Sequence, residues 1–360
     1  MTDRTPTRLR VDLAAFDHNI EVVRRTVAPA QVMMVVKNDA YGHGTETVVR
    51  RAIRTGIEWI GCLDLATALH VRAIAGPGPR ALAWLLTVDD DLRRAVREQI
   101  DLGIGDAAIL EAVAAAALSL GRVADVHLKA DTGLNRNGVR REEWPEFVAR
   151  ARALERAGAI EVVGVFSHIS EASDADDDAA RQRFEEAIEL AHAAGLRPQL
   201  RHLAASAAGF QRPSFDYDLV RIGAFLYGIS PSGGPSATEL GLEPIASLRT
   251  AVAFVRGDVA VLPVGAWTGL PSIAAGKVTV AIAGHALPVI AIGEDWMELD
   301  AQGTQVAAGD EAVVYGSGIG AELSSTGWAE AIDTIGEEIQ VRIDPGIARV
   351  YVSGDSHAAG

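Results

Sequence analysis

Lys37 ends the apolar run Val32–Val36 inside "QVMMVVKNDAYGHG", an unusual place to leave an ammonium group. A lysine partly desolvated at a strand end has a lowered pKa and can attack a carbonyl to form a Schiff base. A lysine whose stem is buried while its head reaches solvent is the bland alternative, and position alone leaves both open. Other stretches carry groups of comparable potential. "HLKADTGLNRN" supplies Lys129, Asp131, Thr132, Asn135 and Arg136; "FSH" ends in Ser167 and His168; "HLAAS" runs from His202 to Ser206; "RIGAFLYG" holds Arg221 and Gly223. Backbone N–H groups beside Gly223, with the hydroxyls of Ser206 and Tyr41, are the donors that a phosphate needs, while a tight turn and a surface ion pair remain the alternative. His168 and His202 have no acidic or third histidine partner at a ligand spacing, so no metal site is read here. Rings that stack on an aromatic cofactor and satisfied core imidazoles both fit them. The acidic run "ASDADDD" (172–178) reads as the N-terminal turn of a helix rather than a cation trap.

Such residues can act together only if some architecture gathers strand ends. The runs "VMMVVK" (32–37), "WIGCLD" (59–64), "ALAWLLT" (81–87), "DLGIGD" (101–106), "DVHLKAD" (125–131), "VVGVFSH" (162–168), "QLRHLAA" (199–205) and "YDLVRIG" (217–223) alternate with alanine-rich amphipathic segments. Several of those segments close on glycine. Short buried runs joined by helices predict an α/β fold of the (β/α)8, TIM-type barrel class, in which chemistry sits at the C-terminal ends of the strands. The candidates above fall at those ends.

Beyond residue 240 the texture becomes β-rich: "LRTAVAFVR", "DVAVLPVG", "KVTVAIAG", "ALPVIAIG", "MELDAQG", "EAVVYGSG" and "IQVRI", interrupted by a helix near "GWAEAIDTIG". The expected division is a barrel over 8–232, a Gly/Pro/Ser-rich linker at "SPSGGPSATELG", a smaller β-rich C-terminal domain over 241–352 that residues 1–10 can join, and a disordered tail at 353–360.

Composition narrows the function classes. The chain has 360 residues, 49% hydrophobic and 22% charged, enough for a large barrel and a second domain. A net charge of −15 argues against nucleic-acid and anionic-membrane partners. One cysteine, Cys62, excludes an intrachain disulfide framework. No run approaches the roughly 20 apolar residues of a membrane span, and the first residues lack a signal-peptide core, so a cytoplasmic protein is expected.

Taken together, these stretches resemble the alanine racemase family, fold-type III enzymes that use pyridoxal 5′-phosphate. "VVKNDAYGHG" looks like the family's cofactor-lysine signature. "HLKADTGLNRNGV" (127–139), "SHISEASDAD" followed by "QRF" (167–184), "HLAASAA" (202–208) and "VRIGAFLYGISPS" (220–232) follow in the family's order, with "VDLAAFDHNI" and "GDEAVVYG" as flanking segments. The resemblance implies that Lys37 forms the Schiff base, and that Tyr41, Ser206, Gly223 and the backbone at Ala224 hold the phosphate. It implies that His168 lies beside the pyridine ring, that Arg221 faces the ring nitrogen, and that Arg136 touches the phenolic oxygen and the substrate carboxylate. An arginine there keeps the ring nitrogen unprotonated and weakens the electron sink. Lys129 matches a family lysine that can be carbamylated. A homodimer with shared active sites is implied as well, acting on an amino acid as small-molecule substrate.

The departures lie on the other side of the cofactor. Family racemases use a second base, a tyrosine on a hairpin of the partner subunit's β domain, and "LRTAVAFVRGDVAVLPVGAWTGLPS" lacks that hairpin. Ala266 and Thr268 stand where the family has tyrosine and aspartate, Glu294-Asp295 replace a Met-Asp pair at the substrate carboxylate, Pro345 replaces a phosphate-binding tyrosine, and Ala205 an asparagine. Thr268, Glu294 and Asp295 therefore join Arg136 as the substrate-side candidates. Three readings follow: a racemase or epimerase acting at Cα with another group in place of the tyrosine; a one-base enzyme catalysing aldol cleavage or transfer, elimination or decarboxylation; and, ranked last, a non-catalytic cofactor-binding protein. Removing a positioned acid or base costs roughly 10²–10⁴ in rate.

Overall fold

The structure is a computed structural model that describes residues 7–353, so the expected disorder of the tail falls, but for its first residue, outside the described residues. In chain order the strands are β1 (Arg8–Asp12), β2 (Gln31–Val35), β3 (Trp59–Asp64), β4 (Arg80–Leu85), β5 (Asp101–Ile104), β6 (Ala124–Lys129), β7 (Ile160–Phe166), β8 (Leu200–His202), β9 (Leu219–Ile222), β10 (Ala246–Ala251), β11 (Phe254–Arg256), β12 (Val259–Leu262), β13 (Thr279–Ile282), β14 (His285–Ile292), β15 (Met297–Asp300), β16 (Glu311–Tyr315) and β17 (Ala348–Val352). They form two sheets in two compact units. One unit holds Val23–Lys37 and Val49–Gly223; the other collects the chain to Val22, Asn38–Val48 and the chain from Ala224 onward.

In the first unit the strands pair in parallel in the order β8-β7-β6-β5-β4-β3-β2-β9. Backbone bonds from Asp218 N–H to Arg201 O (3.1 Å) and from Arg221 N–H to Ala204 O (3.2 Å) bridge β8 and β9 and close the barrel. Met33, Trp59, Leu82, Val163, Leu200 and Leu219 pack as one apolar cluster inside it, all 8% exposed or less, as the inward layers of such barrels require. Helices between strands start on the expected side-chain caps. Asp64 Oδ1 accepts from Thr67 N–H (2.7 Å) and Asp106 Oδ1 from Ile109 N–H (2.8 Å). The acidic run also forms a helix N-terminus: Ser173 Oγ accepts from Asp176 N–H (3.1 Å), and Asp174, Asp176 and Asp177 occupy the first turn of helix Asp174–Ala193.

The second unit is built on a nine-stranded sheet ordered β11-β12-β15-β14-β13-β16-β10-β1-β17. β1 runs antiparallel to β10 and parallel to β17, so the first strand of the chain belongs to this sheet and the barrel strands begin at Gln31. "LRTAVAFVR" reads as one strand and is two, β10 and β11, because the chain changes partner there: Val252 N–H bonds Asp310 O (2.9 Å) beside β16, and Ala253 N–H bonds Val261 O (2.8 Å) on β12. "IQVRI" was expected as a strand and is not: Ile339–Val341 end the helix Gly336–Val341, whose first turn carries Glu337 and Glu338 and which buries Ile339 and Gln340. Only Gly257 and Asp258 join β11 to β12, with Gly257 at φ 60°, the left-handed backbone that a two-residue hairpin demands. No helix among the described residues is long and apolar enough to cross a membrane.

Candidate active site

In the barrel unit the polar residues gather around one guanidinium. Arg221, on β9, is 6% exposed. Its two terminal nitrogens donate to the carbonyls of His202 (3.0 Å), Ser167 (2.7 Å) and Leu203 (3.0 Å), and contact Nδ1 of His202 (3.0 Å) and of His168 (3.2 Å). Arginine has no acceptor, so both Nδ1 atoms must be lone pairs and both rings carry their proton on Nε2. Burial, with Arg136 nearby, lowers the Arg221 pKa to about 10, which leaves it cationic at neutral pH.

The same tautomer logic runs inward through the barrel. His202 Nε2 lies 2.9 Å from His127 Nδ1 on β6, so it donates there and leaves His127 with its proton on Nε2, which points at Asp101 Oδ1 3.6 Å away. Asp101 is held by Arg80, which also reaches Asp125 (2.7 Å). Phe166 stacks on His202 with ring centroids 4.7 Å apart. A Cβ at position 164 would collide with the His127 ring, which explains a glycine in the middle of β7. The inner members of this chain, His127, Asp101 and Arg80, were not among the candidates read from the sequence. Their one signal was the spacing of His127 and Lys129, two residues apart on β6 and so on one face of the strand.

Charge at the barrel mouth is one-sided. Burial first, and then the charges of Arg221, Arg136, Lys129 and Lys37, all cations, lower the His168 pKa to about 3. Lys129, 6% exposed, is lowered to about 8 by burial and then by Arg221 and Arg136, with Asp131 opposing. Arg136 itself is exposed, on the loop after β6. Four cations about one neutral imidazole, in a chain of net charge −15, suit a ligand with several anionic groups. Ser206 opens helix Ser206–Gln211, and its Oγ accepts from Gly223 N–H (3.2 Å), bringing a hydroxyl and a glycine backbone together after β8 and β9. Ala224 follows directly and opens the 3-10 helix Ala224–Tyr227.

Lys37 stands two residues past β2, where Val36 N–H still bonds Gly61 O (3.0 Å). The chain then makes one turn of left-handed helix: Asn38, Asp39 and Ala40 have φ 51–52° and Tyr41 φ 57°. That backbone costs roughly 1–2 kcal/mol per non-glycine residue, less for Asn and Asp, and is kept only where its surroundings enforce it. In the second unit Asp39 Oδ1 accepts from Thr45 N–H (2.8 Å), and His43 Nδ1–H donates to Ala40 O (2.8 Å). Tyr41, 4% exposed, packs against Tyr227 with centroids 4.8 Å apart, and His43 stacks on the same ring at 4.9 Å. Burial, with Glu337 nearby, pushes the Tyr41 phenol well above its ordinary value.

Of the substrate-side candidates, Thr268, Glu294 and Asp295 belong to the second unit. Thr268 is 8% exposed, and its Oγ1 accepts from Gly265 N–H (3.2 Å), capping the 3-10 helix Ala266–Thr268. Glu294 and Asp295 are exposed on the loop between β14 and β15, where Glu294 O accepts from Trp267 N–H (2.7 Å).

Known proteins match nearly the whole chain. The family model for the alanine racemase N-terminal domain matches residues 11–231, and that for the C-terminal domain residues 243–351. The alanine racemase of Beutenbergia cavernae is 38% identical, the alignment spanning 97% of this chain and 98% of that protein. That of Thermobifida fusca is 37% identical over 95% and 97%. Among solved structures, alanine racemase from D-cycloserine-producing Streptomyces lavendulae superposes with a TM-score of 0.93 at 34% identity, covering 98% of this chain and 99% of that one. The chain belongs to the alanine racemase family, isomerases of fold type III whose cofactor is pyridoxal 5′-phosphate.

Proposed function

We propose that this protein moves a proton at Cα of a small amino acid, as a racemase or epimerase, with Lys37 as the residue that bonds the cofactor's aldehyde and then serves as a base. The observation that carries this is the cationic mouth of the barrel, where Lys37, Lys129, Arg136 and Arg221 surround neutral His168. The donor set fits the cofactor. Ser206, Gly223, Ala224 and Tyr41 would hold its phosphate, Arg136 its phenolic oxygen, and His168 the side of its ring. When bound, the cofactor would draw electrons from the Cα–H bond of the amino acid.

Every other part of the work falls to the chain. Lys37 takes or returns the Cα proton on one face. Arg136 holds the substrate carboxylate. Arg221, a donor only, can meet a ring nitrogen only as a lone pair and so leaves it unprotonated, which restrains carbanion chemistry.

A one-base reading has its own support. No tyrosine lies between Tyr227 and Tyr315, and β11 meets β12 through two residues. We therefore propose that the second-base tyrosine is missing and that Glu294, Asp295 or water delivers the opposite proton, or that the reaction runs on one face. A cytoplasmic homodimer with shared sites is part of the proposal, supported by Trp267, Ile273 and Trp296 at 67%, 62% and 40% exposure on the β-rich unit.

Incubation of the cofactor-loaded protein with L- and D-alanine in heavy water decides. Deuterium at Cα with inversion is expected; deuterium with retention selects the one-base reading, and no exchange refutes both. Lys37→Ala should abolish the visible absorption of the bound cofactor.

A further inference from the structure

We propose that Tyr351 and Arg349, on β17, are positioning residues that lock the left-handed turn following Lys37. The two side chains lie two residues apart on one strand and so share a face. They grip adjacent carbonyls. The Tyr351 hydroxyl donates to His43 O (3.0 Å) and Arg349 Nε–H to Gly42 O (3.1 Å).

Those carbonyls need outside donors. Within the turn, Gly42 N–H bonds Asn38 O (2.9 Å), His43 N–H bonds Ala40 O (3.1 Å) and Gly44 N–H bonds Asp39 O (3.1 Å), which satisfies the turn's early carbonyls but neither Gly42 O nor His43 O. The fit is tight on both sides. A Cβ at Gly44, at φ 91°, would collide with the Tyr351 hydroxyl, and one at Gly42, at φ 81°, would come within 2.8 Å of Gln340 O. Arg349 is anchored in turn: its terminal nitrogens donate to Asp344 O (2.8 Å), Ile347 O (2.6 Å) and Ile343 O (3.3 Å). A rigid strand therefore dictates the geometry of the turn, and a strained backbone persists only under such contacts.

What the turn presents, Lys37 at its start and Tyr41 at its end, rests on the function proposed above, but the clamp does not. Hydrogen exchange of the cofactor-free protein tests it. In Tyr351→Phe, which removes one oxygen, the amides of Gly42, His43 and Gly44 should exchange about tenfold faster while that of Ala130 in the barrel keeps its rate. Arg349→Gln should act on the same amides and serves if the first variant fails to fold.

In the cofactor-loaded Tyr351→Phe protein, pyridoxal phosphate should leave about tenfold faster on dilution, followed by its visible absorption, with the KM for alanine held and kcat lowered. Unchanged exchange at residues 42–44 in both variants overturns the clamp, whatever the cofactor does. Faster exchange with an unchanged cofactor off-rate and kcat overturns the positioning role. A wild-type protein that takes up no cofactor refutes the reading of Lys37 instead and leaves the exchange result to judge the clamp.

Discussion

Replacing His43 by asparagine should flatten the acid side of the stability curve. Its ring is fully buried, and burial first, then Arg349, lowers its pKa from 6.5 to about 4, against the opposing pull of Ala40 O and Asp39. Above pH 6.5 the imidazole is neutral folded or unfolded and adds no pH dependence. As the pH falls from 6.5 to about 4, the unfolded chain binds a proton that the fold refuses, and stability drops by about 1.4 kcal/mol per pH unit. Below that range the loss is complete, at about 3 kcal/mol, a large share of the 5–15 kcal/mol typical of a domain. His168 and His202 act in the same direction, and Asp216, raised by burial to about 7, acts in the opposite one. The informative quantity is therefore the difference between wild type and variant. Asparagine keeps a donor near the position of Nδ1 and removes the titration. Urea unfolding of the cofactor-free protein, read by tryptophan fluorescence from pH 8 to 4.5, should give curves parallel above pH 6.5 that converge below it. Curves parallel throughout would mean that His43 takes its proton inside the fold, and the reasoning from burial would be wrong.

Other outcomes follow from single contacts. Asp216→Asn removes a 7%-exposed carboxyl whose Oδ1 has no partner; stability should rise by on the order of 1–3 kcal/mol at pH 8, with the gain fading as the pH falls from about 7 toward 3.8, measured by the same unfolding series. Gly164→Ala should push His127 off His202 and cost roughly 1–3 kcal/mol, with altered imidazole nitrogen shifts for both rings by NMR. Leu82→Ala, in the apolar cluster inside the barrel, should cost roughly 2–5 kcal/mol by cavity formation without moving those shifts.

The barrel was legible because its strands obey a local rule. Each is a short apolar run closed by polar groups, so both the strand and the functional end are printed in the same few residues, as at Lys37 and Arg221. The β-rich half followed the rule less well. "IQVRI" alternates like a strand, yet Gly336 and the acidic pair Glu337-Glu338 start a helix just before it, and the helix continues through Gln340 to Val341. The left-handed turn was hidden for a different reason. Asn38, Asp39, Gly42 and Gly44 all tolerate positive φ, but Ala40 and Tyr41 do not favour it, and what overrules them is a strand some 300 residues later, at Arg349 and Tyr351.

The buried chain from Arg221 to Asp101 shows why a site can be read in part and still be incomplete. Arg221, His168 and His202 were visible as polar residues at strand ends, but their protonation states were not, since these depend on which neighbour can only donate. Arg221 decides that: it forces a lone pair onto His202 Nδ1, and the proton pattern of His127 follows from His202. Removing the guanidinium would therefore do more than delete a contact. Arg221→Lys supplies a single ammonium where two planar nitrogens serve three carbonyls and two imidazoles, leaving buried acceptors without donors. With that anchor gone the tautomers of His202 and His127 are free to exchange, and the imidazole nitrogen shifts should report both rings as mixtures even before any cofactor is bound. Shifts identical to wild type would show that the tautomers are set from the Asp101 end instead.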